Sequence, residues 1–402
     1  MSYHPAMNRV PSFCLGLLAV TSLALPACDG GGEHGGGHDG AHGAGVHVEI
    51  GRIPPIPPEA PAVDPGKLRE RAKKDLGALP SEFKSGANPL SEDKIALGRM
   101  LYYEGRLSLN DEMSCNSCHM LDSYGVDSLP TSPGVKGEFG DRNSPTVYNA
   151  AGHLAQFWDG REPDVEHQAK GPILNPIEMA SPDDAAVVAE LQAIPGYVEA
   201  FAKAFPPPEG EAPESAVSYD NLALAIGAFE RRLVTPGPFD AFLAGDDAAL
   251  SEDALHGLQL FLDTDCQSCH NGFAIGGASY QKLGTEKPWP GLKDEGRFAV
   301  TKDERDRFVF KVPSLRNIAK TGPYLHDGSI ANLEEMVTKM VEHQTKRAGP
   351  FSEEELGHMI AFLESLTGEL PADYIAKPEL PPAAAPAEAG GEDAVPASTL
   401  AP

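Results

Sequence analysis

A chain of 402 residues, 41% hydrophobic and 23% charged, has room for two soluble domains of ordinary size plus tails. Its formal charge of −27 excludes nucleic acid and an anionic membrane surface as partners. That charge suits either a partner with a basic patch, drawn in by long-range fields, or solubility alone. Of the six cysteines, Cys14 and Cys28 fall in the N-terminal leader and four fall in two identical motifs, so no pair remains for a structural disulfide.

The leader reads Met7-Asn8-Arg9, an apolar run from Phe13 to Leu25, then Leu25-Pro26-Ala27-Cys28. A basic start, a short apolar core and a small-residue cleavage point predict a secretory signal over residues 1–28, not a membrane span. Cysteine directly after the small residue resembles a lipoprotein box. The expectation is a periplasmic protein lipid-anchored through Cys28, with plain cleavage as the alternative. Residues 29–65 are Gly/His-rich, then Pro-rich, and read as a flexible tether. Residues 377–402 form a Pro/Ala-rich tail expected to be disordered.

Between the tails the pattern is helical. Ser91-Glu92-Asp93 suits a helix N-terminus, with Ile95, Leu97, Met100 and Leu101 following at helical spacing. The same words return at Leu250-Ser251-Glu252-Asp253, before Leu255, Leu258, Phe261 and Leu262. Each helix runs into the motif Cys-x-x-Cys-His, first at Cys115-Cys118-His119 and again, 151 residues later, at Cys266-Cys269-His270. This motif is the attachment signature of c-type haem: two cysteines for thioether bonds and a histidine next to the iron. The repeat predicts an all-α fold of two cytochrome c-like domains with long loops and little β structure. The expected spans are 66–240 and 241–376, each carrying one c-type haem. A helix with Leu222, Ala225, Ile226 and Phe229, followed by Pro236-Gly237-Pro238, marks the junction.

Longer words then identify a resemblance. Arg142-Asn143-Ser144-Pro145-Thr146-Val147, Gln156-Phe157-Trp158-Asp159-Gly160-Arg161, Gln168-Ala169-Lys170-Gly171-Pro172 and Asn175-Pro176-Ile177-Glu178-Met179 lie in the first half. Lys311-Val312-Pro313-Ser314-Leu315-Arg316-Asn317 and Gly322-Pro323-Tyr324-Leu325-His326-Asp327-Gly328-Ser329 lie in the second. Together they resemble the bacterial di-haem cytochrome c peroxidase family, whose MauG-type members oxidise side chains of a partner protein.

The resemblance implies roles. Glu178 and Gln168 would move protons and position peroxide at the His119 haem, and Trp158 would relay electrons between the haems. Calcium would sit between the domains at Asn143, Thr321 and Pro323, and His326 matches a position near that interface. A histidine that caps the first iron in oxidised peroxidases has Val135 in its place, and valine cannot bind iron. His153 is near enough in sequence to substitute as a cap, although a structural role is the simpler reading. For the second haem, periodicity leaves Met336 and Met340 equal as core residues. The family offset before His343-Gln344 selects Met340 as the ligand opposite His270, and a thioether there raises the potential.

The expected function is reduction of hydrogen peroxide with electrons from a small donor, a cytochrome c or cupredoxin, and the family allows a homodimer. The alternative is MauG-type oxidation of tryptophan or tyrosine on a partner protein. A non-enzymatic carrier or redox sensor is the third, and it would need neither Gln168 nor Glu178.

Overall fold

The computed structural model describes residues 62–383. The leader with Cys28, the tether up to residue 61 and the tail from 384 lie outside the described residues. Among the described residues, ten helices of seven or more residues make up the body. In chain order they are α1 (Pro65–Ala72), α2 (Glu92–Tyr102), α3 (Val165–Leu174), α4 (Asp184–Gln192), α5 (Pro195–Ala204), α6 (Tyr219–Glu230), α7 (Pro238–Ala244), α8 (Glu252–Asp263), α9 (Leu333–Gln344) and α10 (Glu353–Ser365). Among the described residues the one sheet is an antiparallel pair, β1 (Tyr280–Lys282) and β2 (Val309–Lys311), with Tyr280 opposite Lys311. The all-α architecture with long loops is the one expected.

The duplicated helix starts form as their sequence dictates. Ser91 Oγ accepts from Lys94 N at 3.3 Å and Ser251 Oγ from Ala254 N at 3.1 Å, each satisfying a first-turn donor that lacks an intrahelical partner. Two acids in each first turn complement the positive helix end. Each of these helices then crosses a later one at a glycine. A Cβ on Gly98 of α2 would lie 1.9 Å from Ala225 O of α6, and one on Gly257 of α8 would lie 1.9 Å from His358 O of α10. Each half is therefore built on one closely crossed helix pair.

Apolar side chains fill in around these crossings. Leu97, Leu101, Ile173, Leu191, Phe201, Leu222 and Ile226 are buried together in the first half. Phe239, Phe242, Leu258, Phe261, Met336, Val341 and Phe362 are buried together in the second. The two ends of the described segment cross over. Leu68 and Ala72 of α1 join the second core, and Arg71 pairs with Asp263 of α8 at 2.5 Å. At the other end, Ile375 is buried in a cluster with Tyr102 and Phe229 of the first half. Tyr374 stacks on Phe229 with ring centroids 5.1 Å apart.

Replacing Gly257 with Ala tests the crossing. Alanine gains roughly 1 kcal/mol over glycine in a helix, but its methyl meets a backbone carbonyl that moves only if α8 and α10 separate. A net loss of about 1–3 kcal/mol is expected, the range for forcing extra volume into a packed core. Chemical unfolding of G257A measures it, and an unchanged midpoint would show that the crossing relaxes freely.

Candidate active site

The first motif forms a one-turn helix, Cys115–Cys118, at whose start Ser114 N donates to Ser117 Oγ at 3.0 Å. The second forms a short turn, Cys266–Ser268, entered through Asp265 in a left-handed conformation (φ 62°). None of these four cysteines is engaged in a disulfide. Burial pushes the Cys115 thiol up to about 12 and the Cys266 thiol to about 11. The histidines are shifted the other way: burial lowers His119, and it lowers His270 to about 4. Both imidazoles are thus neutral at ordinary pH, the form that binds iron.

The Nδ1 atoms of His119 and His270 are buried without a hydrogen bond. Backbone of Gly125 and Pro145 lies beside the first ring, and backbone of Ile275 and Pro313 beside the second. A ligating imidazole has its outer acceptor in that place. Paired cysteines outside any disulfide, a neutral histidine and an orphaned Nδ1 in each half fit two covalently held c-type haems.

On the first-haem side, α3 is fixed before it reaches Gln168. Asp164 Oδ1 caps it by accepting from His167 N at 2.9 Å. Arg231, just beyond α6, grips Glu166 through two bonds of 2.7 and 2.8 Å in a buried fork, and Asn88 Nδ2 donates to the same carboxylate at 2.9 Å. After α3 the chain folds back. Glu178 N donates to Asn175 O at 3.0 Å, and Asn175 Nδ2 donates to Glu178 Oε1 at 2.8 Å. Gln168 and Glu178 are thereby held at the two ends of one helix and turn.

Burial raises the Glu178 carboxyl above its ordinary value, opposed by the Asn175 hydrogen bond and by the Arg161 charge. That guanidinium lies 3.4 Å over the Phe157 ring. Burial raises the Cys118 thiol, and the charges of Asp127 and Glu178 add to that rise, which places Glu178 within electrostatic reach of the haem attachment. Val135 lies against this segment. Its N–H donates to Glu178 O at 2.8 Å, and a Cβ on Gly134 would lie 1.6 Å from Ile177 O.

On the second-haem side, α9 separates the two methionines that periodicity leaves equal. Met336 is 8% exposed inside the core, whereas Met340 is half-buried at its edge. The His343-Gln344 pair after Met340 has a task that no local pattern announces. Gln344 Oε1 accepts from Gly284 N at 2.7 Å and Thr285 N at 2.8 Å, and His343 Nδ1 lies 3.1 Å from Lys287 O.

Trp158 stands where the halves meet. Its Nε1 donates to Asn143 O at 3.0 Å, and its carbonyl accepts from Lys311 N at 2.8 Å. His326 is buried edge-on to the indole, with centroids 6.4 Å apart, and stacks on Phe310 at 4.5 Å. Asn143 N donates to His326 O at 2.7 Å, which brings Asn143 to the chain segment containing Thr321 and Pro323. His153, considered as a cap for the first haem, is turned to the second half, with Nδ1 3.1 Å from Lys311 Nζ.

Two interactions at the junction are not among the expectations drawn from the sequence. Arg142 binds Asp159 at 2.6 Å and Asp294 of the second half through two bonds of 2.7 and 2.9 Å. Asn149 and Asn317 both donate to Thr235 Oγ1, at 3.0 and 2.9 Å. A shared Pro-x-x-x-Asn spacing, Pro145 to Asn149 and Pro313 to Asn317, could have exposed the second of these.

Comparison with known proteins agrees with this geometry. Residues 92–248 match the family model for di-haem cytochrome c peroxidase, and residues 254–367 match that for cytochrome c. The cytochrome c551 peroxidase of Nitrosomonas europaea is 47% identical over 298 residues, 73% of this chain and 85% of that one. The methylamine utilization protein MauG of Methylorubrum extorquens is 34% identical over 78% of this chain and 90% of that one. A solved MauG-like protein associated with microbial copper homeostasis superposes with a TM-score of 0.66 at 30% identity, covering 75% of this chain and 97% of that one. The chain belongs to the di-haem cytochrome c peroxidase family and carries two c-type haems, one in each half.

Proposed function

We propose that this peroxidase cleaves hydrogen peroxide at the His119 haem and draws electrons from a small donor protein through the His270/Met340 haem and Trp158. The haems supply the redox chemistry; the side chains around them bind, orient and move protons. Glu178 accepts the proton of the near peroxide oxygen and returns it to the far one. Its raised carboxyl suits it to hold a proton between those steps. Gln168 offers a neutral amide that orients peroxide without competing for the proton. Trp158 gives an aromatic path between the halves, and the half-buried Met340 thioether supports its assignment opposite His270.

The observation that carries this reading is the contact of Val135 with Glu178. The loop that bears a capping histidine in the resembled peroxidases has valine here, and its backbone is bonded to the glutamate segment. We infer a first haem open to peroxide in the fully oxidised protein. The same observation favours the second reading, MauG-type oxidation of a partner's tryptophan or tyrosine. Peroxidase relatives at 47% identity against 34% for MauG, together with Met340, favour the small donor.

The leader supports export to the periplasm with a lipid on Cys28, and palmitate labelling of the wild type and a Cys28→Ala variant would decide the anchor. Asn143 is the side chain best placed for calcium between the halves. Its Nδ2 is committed to Leu129 O at 2.9 Å, which turns Oδ1 the other way. Carbonyls of Thr321 and Pro323 would complete an oxygen set of the kind calcium takes.

Three outcomes are expected. The fully oxidised protein shows a high-spin first haem and reacts with peroxide before any reduction; a low-spin, inert first haem would remove the open-site reading. Failure of reduced cytochrome donors to support turnover would favour side-chain oxidation of a partner instead. Glu178→Gln retains both haems while peroxide cleavage falls by about 10²–10⁴-fold, the usual worth of a positioned acid–base group; ordinary cleavage would refute the role. In stopped-flow measurements the wild-type cleavage rate falls on acidification as Glu178 takes up a proton. Because burial raises that carboxyl, the inflection lies above the ordinary glutamate range, and one at or below it would point to another base.

A further inference from the structure

Lys311 is 7% exposed, and among the described residues its Nζ has one hydrogen-bond partner, His153 Nδ1 at 3.1 Å. Burying an ammonium without an anion is costly, and such groups are found paired. The acid whose charge acts most on it, Asp159, is already bound by Arg142 at 2.6 Å and Arg161 at 3.2 Å. His153 is also incomplete. Its Nε2 is buried without a partner, although its ring is pressed against Gly277, where a Cβ would lie 2.3 Å from Cδ2. The hydroxyl of nearby Ser279 is likewise buried and unbonded.

These groups stand on the backbone that flanks His270. Gly277 N donates to Val312 O at 2.7 Å, and Gly276 packs where a Cβ would meet Pro313 O at 2.1 Å. Ile275 and Pro313 are the residues whose backbone lies beside the His270 ring. An unpaired cation and an unpaired imidazole nitrogen thus adjoin the cradle of a cofactor that carries two carboxylates.

We propose that Lys311 and His153 form an anion site that holds a propionate carboxylate of the second haem. Lys311 Nζ donates to His153 Nδ1, which leaves Nε2–H and the remaining ammonium hydrogens to donate to the carboxylate. Burial and the Lys311 charge both keep His153 neutral, as that arrangement needs. The cation then offsets the propionate charge and favours the reduced iron, which raises the second-haem potential. The site rests on the reading that His270 holds that haem. It also joins the haem to the relay, since Lys311 N bonds the Trp158 carbonyl at 2.8 Å.

Spectroelectrochemical titration of the full-length two-haem protein tests the site. In Lys311→Met the midpoint potential of the second haem should fall, because the unpaired propionate stabilises ferric iron, while the first-haem potential stays. Lys311→Arg should restore the wild-type value. His153→Phe, which leaves the cation in place, should give a smaller fall and keeps the test open if Lys311→Met does not fold. An unchanged second-haem potential in His153→Phe and in folded Lys311→Met, or a shift confined to the first haem, would overturn the proposal. His270→Met separates the two levels: an unaltered second-haem spectrum there would refute the reading on which the site rests, whatever the Lys311 variants do.

Discussion

A haem-ligating histidine must stay neutral, be shielded from water and keep its ring at a fixed angle. The two halves meet this demand with one repeated piece of backbone. Pro145 and Pro313 lie beside the His119 and His270 rings, and four residues later Asn149 and Asn317 both take a left-handed conformation at φ 62°. Both asparagines reach Thr235 Oγ1, and that residue is 0% exposed. A single buried hydroxyl therefore ties to each other the two turns that flank the histidine rings. Asparagine suits both positions because it tolerates the left-handed region and its amide can donate there. The hydrogen-bond network is nearly closed, since Thr235 N donates to Asn149 Oδ1 at 3.2 Å and Gly368 N to Asn317 Oδ1 at 3.0 Å. Loss of one partner would strand the others in the interior, which costs more than the bond itself contributes.

On that symmetric frame the differences between the halves lie in what surrounds each iron site. The first half inserts α3, which carries Gln168, and a back-folded turn, which carries Glu178. The second half sends α9, with a thioether at the core edge. A carboxyl near a haem is useful for proton transfer only if its environment lets it hold a proton, and burial does this for Glu178. A thioether carries no titrating proton, which would suit the electron-passing role proposed for the second haem. In the proposed function the chemical division between the haems comes from these two insertions, because the attachment motifs are alike.

How much of this is legible in the sequence depends on whether the governing contact is local. The caps at Ser91 and Ser251 and the two haem motifs follow rules that act within a few residues, and the structure obeys them. Gln168 and Glu178 stand out only through the resemblance, because a glutamine on a helix and a glutamate in a proline-flanked turn have no distinctive local pattern. Periodicity cannot separate Met336 from Met340, since both lie on the inward face of α9; their depth in the core does separate them. The crossing of α1 into the second half, the Thr235 junction and the Lys311–His153 pair join residues 80 or more positions apart in the chain. No window of sequence contains both partners.

The same non-local character governs Trp158. Its indole bonds to a carbonyl of the first half, but its own carbonyl is held by Lys311 and the next residue by a network that crosses the junction. Arg142 links Asp159 to Asp294, and Arg297 Nη1 donates to Asp159 O at 2.9 Å. A planar guanidinium bonded twice to one carboxylate fixes orientation as well as distance, which a lysine could not do. These side chains are partly buried, so salt screens them less than it would a surface pair. In the relay role proposed for Trp158, its distance to each haem would depend on how the halves dock. The crossed ends of the described segment act on the same docking, because α1 and Ile375 each anchor one half's sequence in the other half's core. The position of the tryptophan is thus a property of the interface between the domains, more than of the loop on which it is carried.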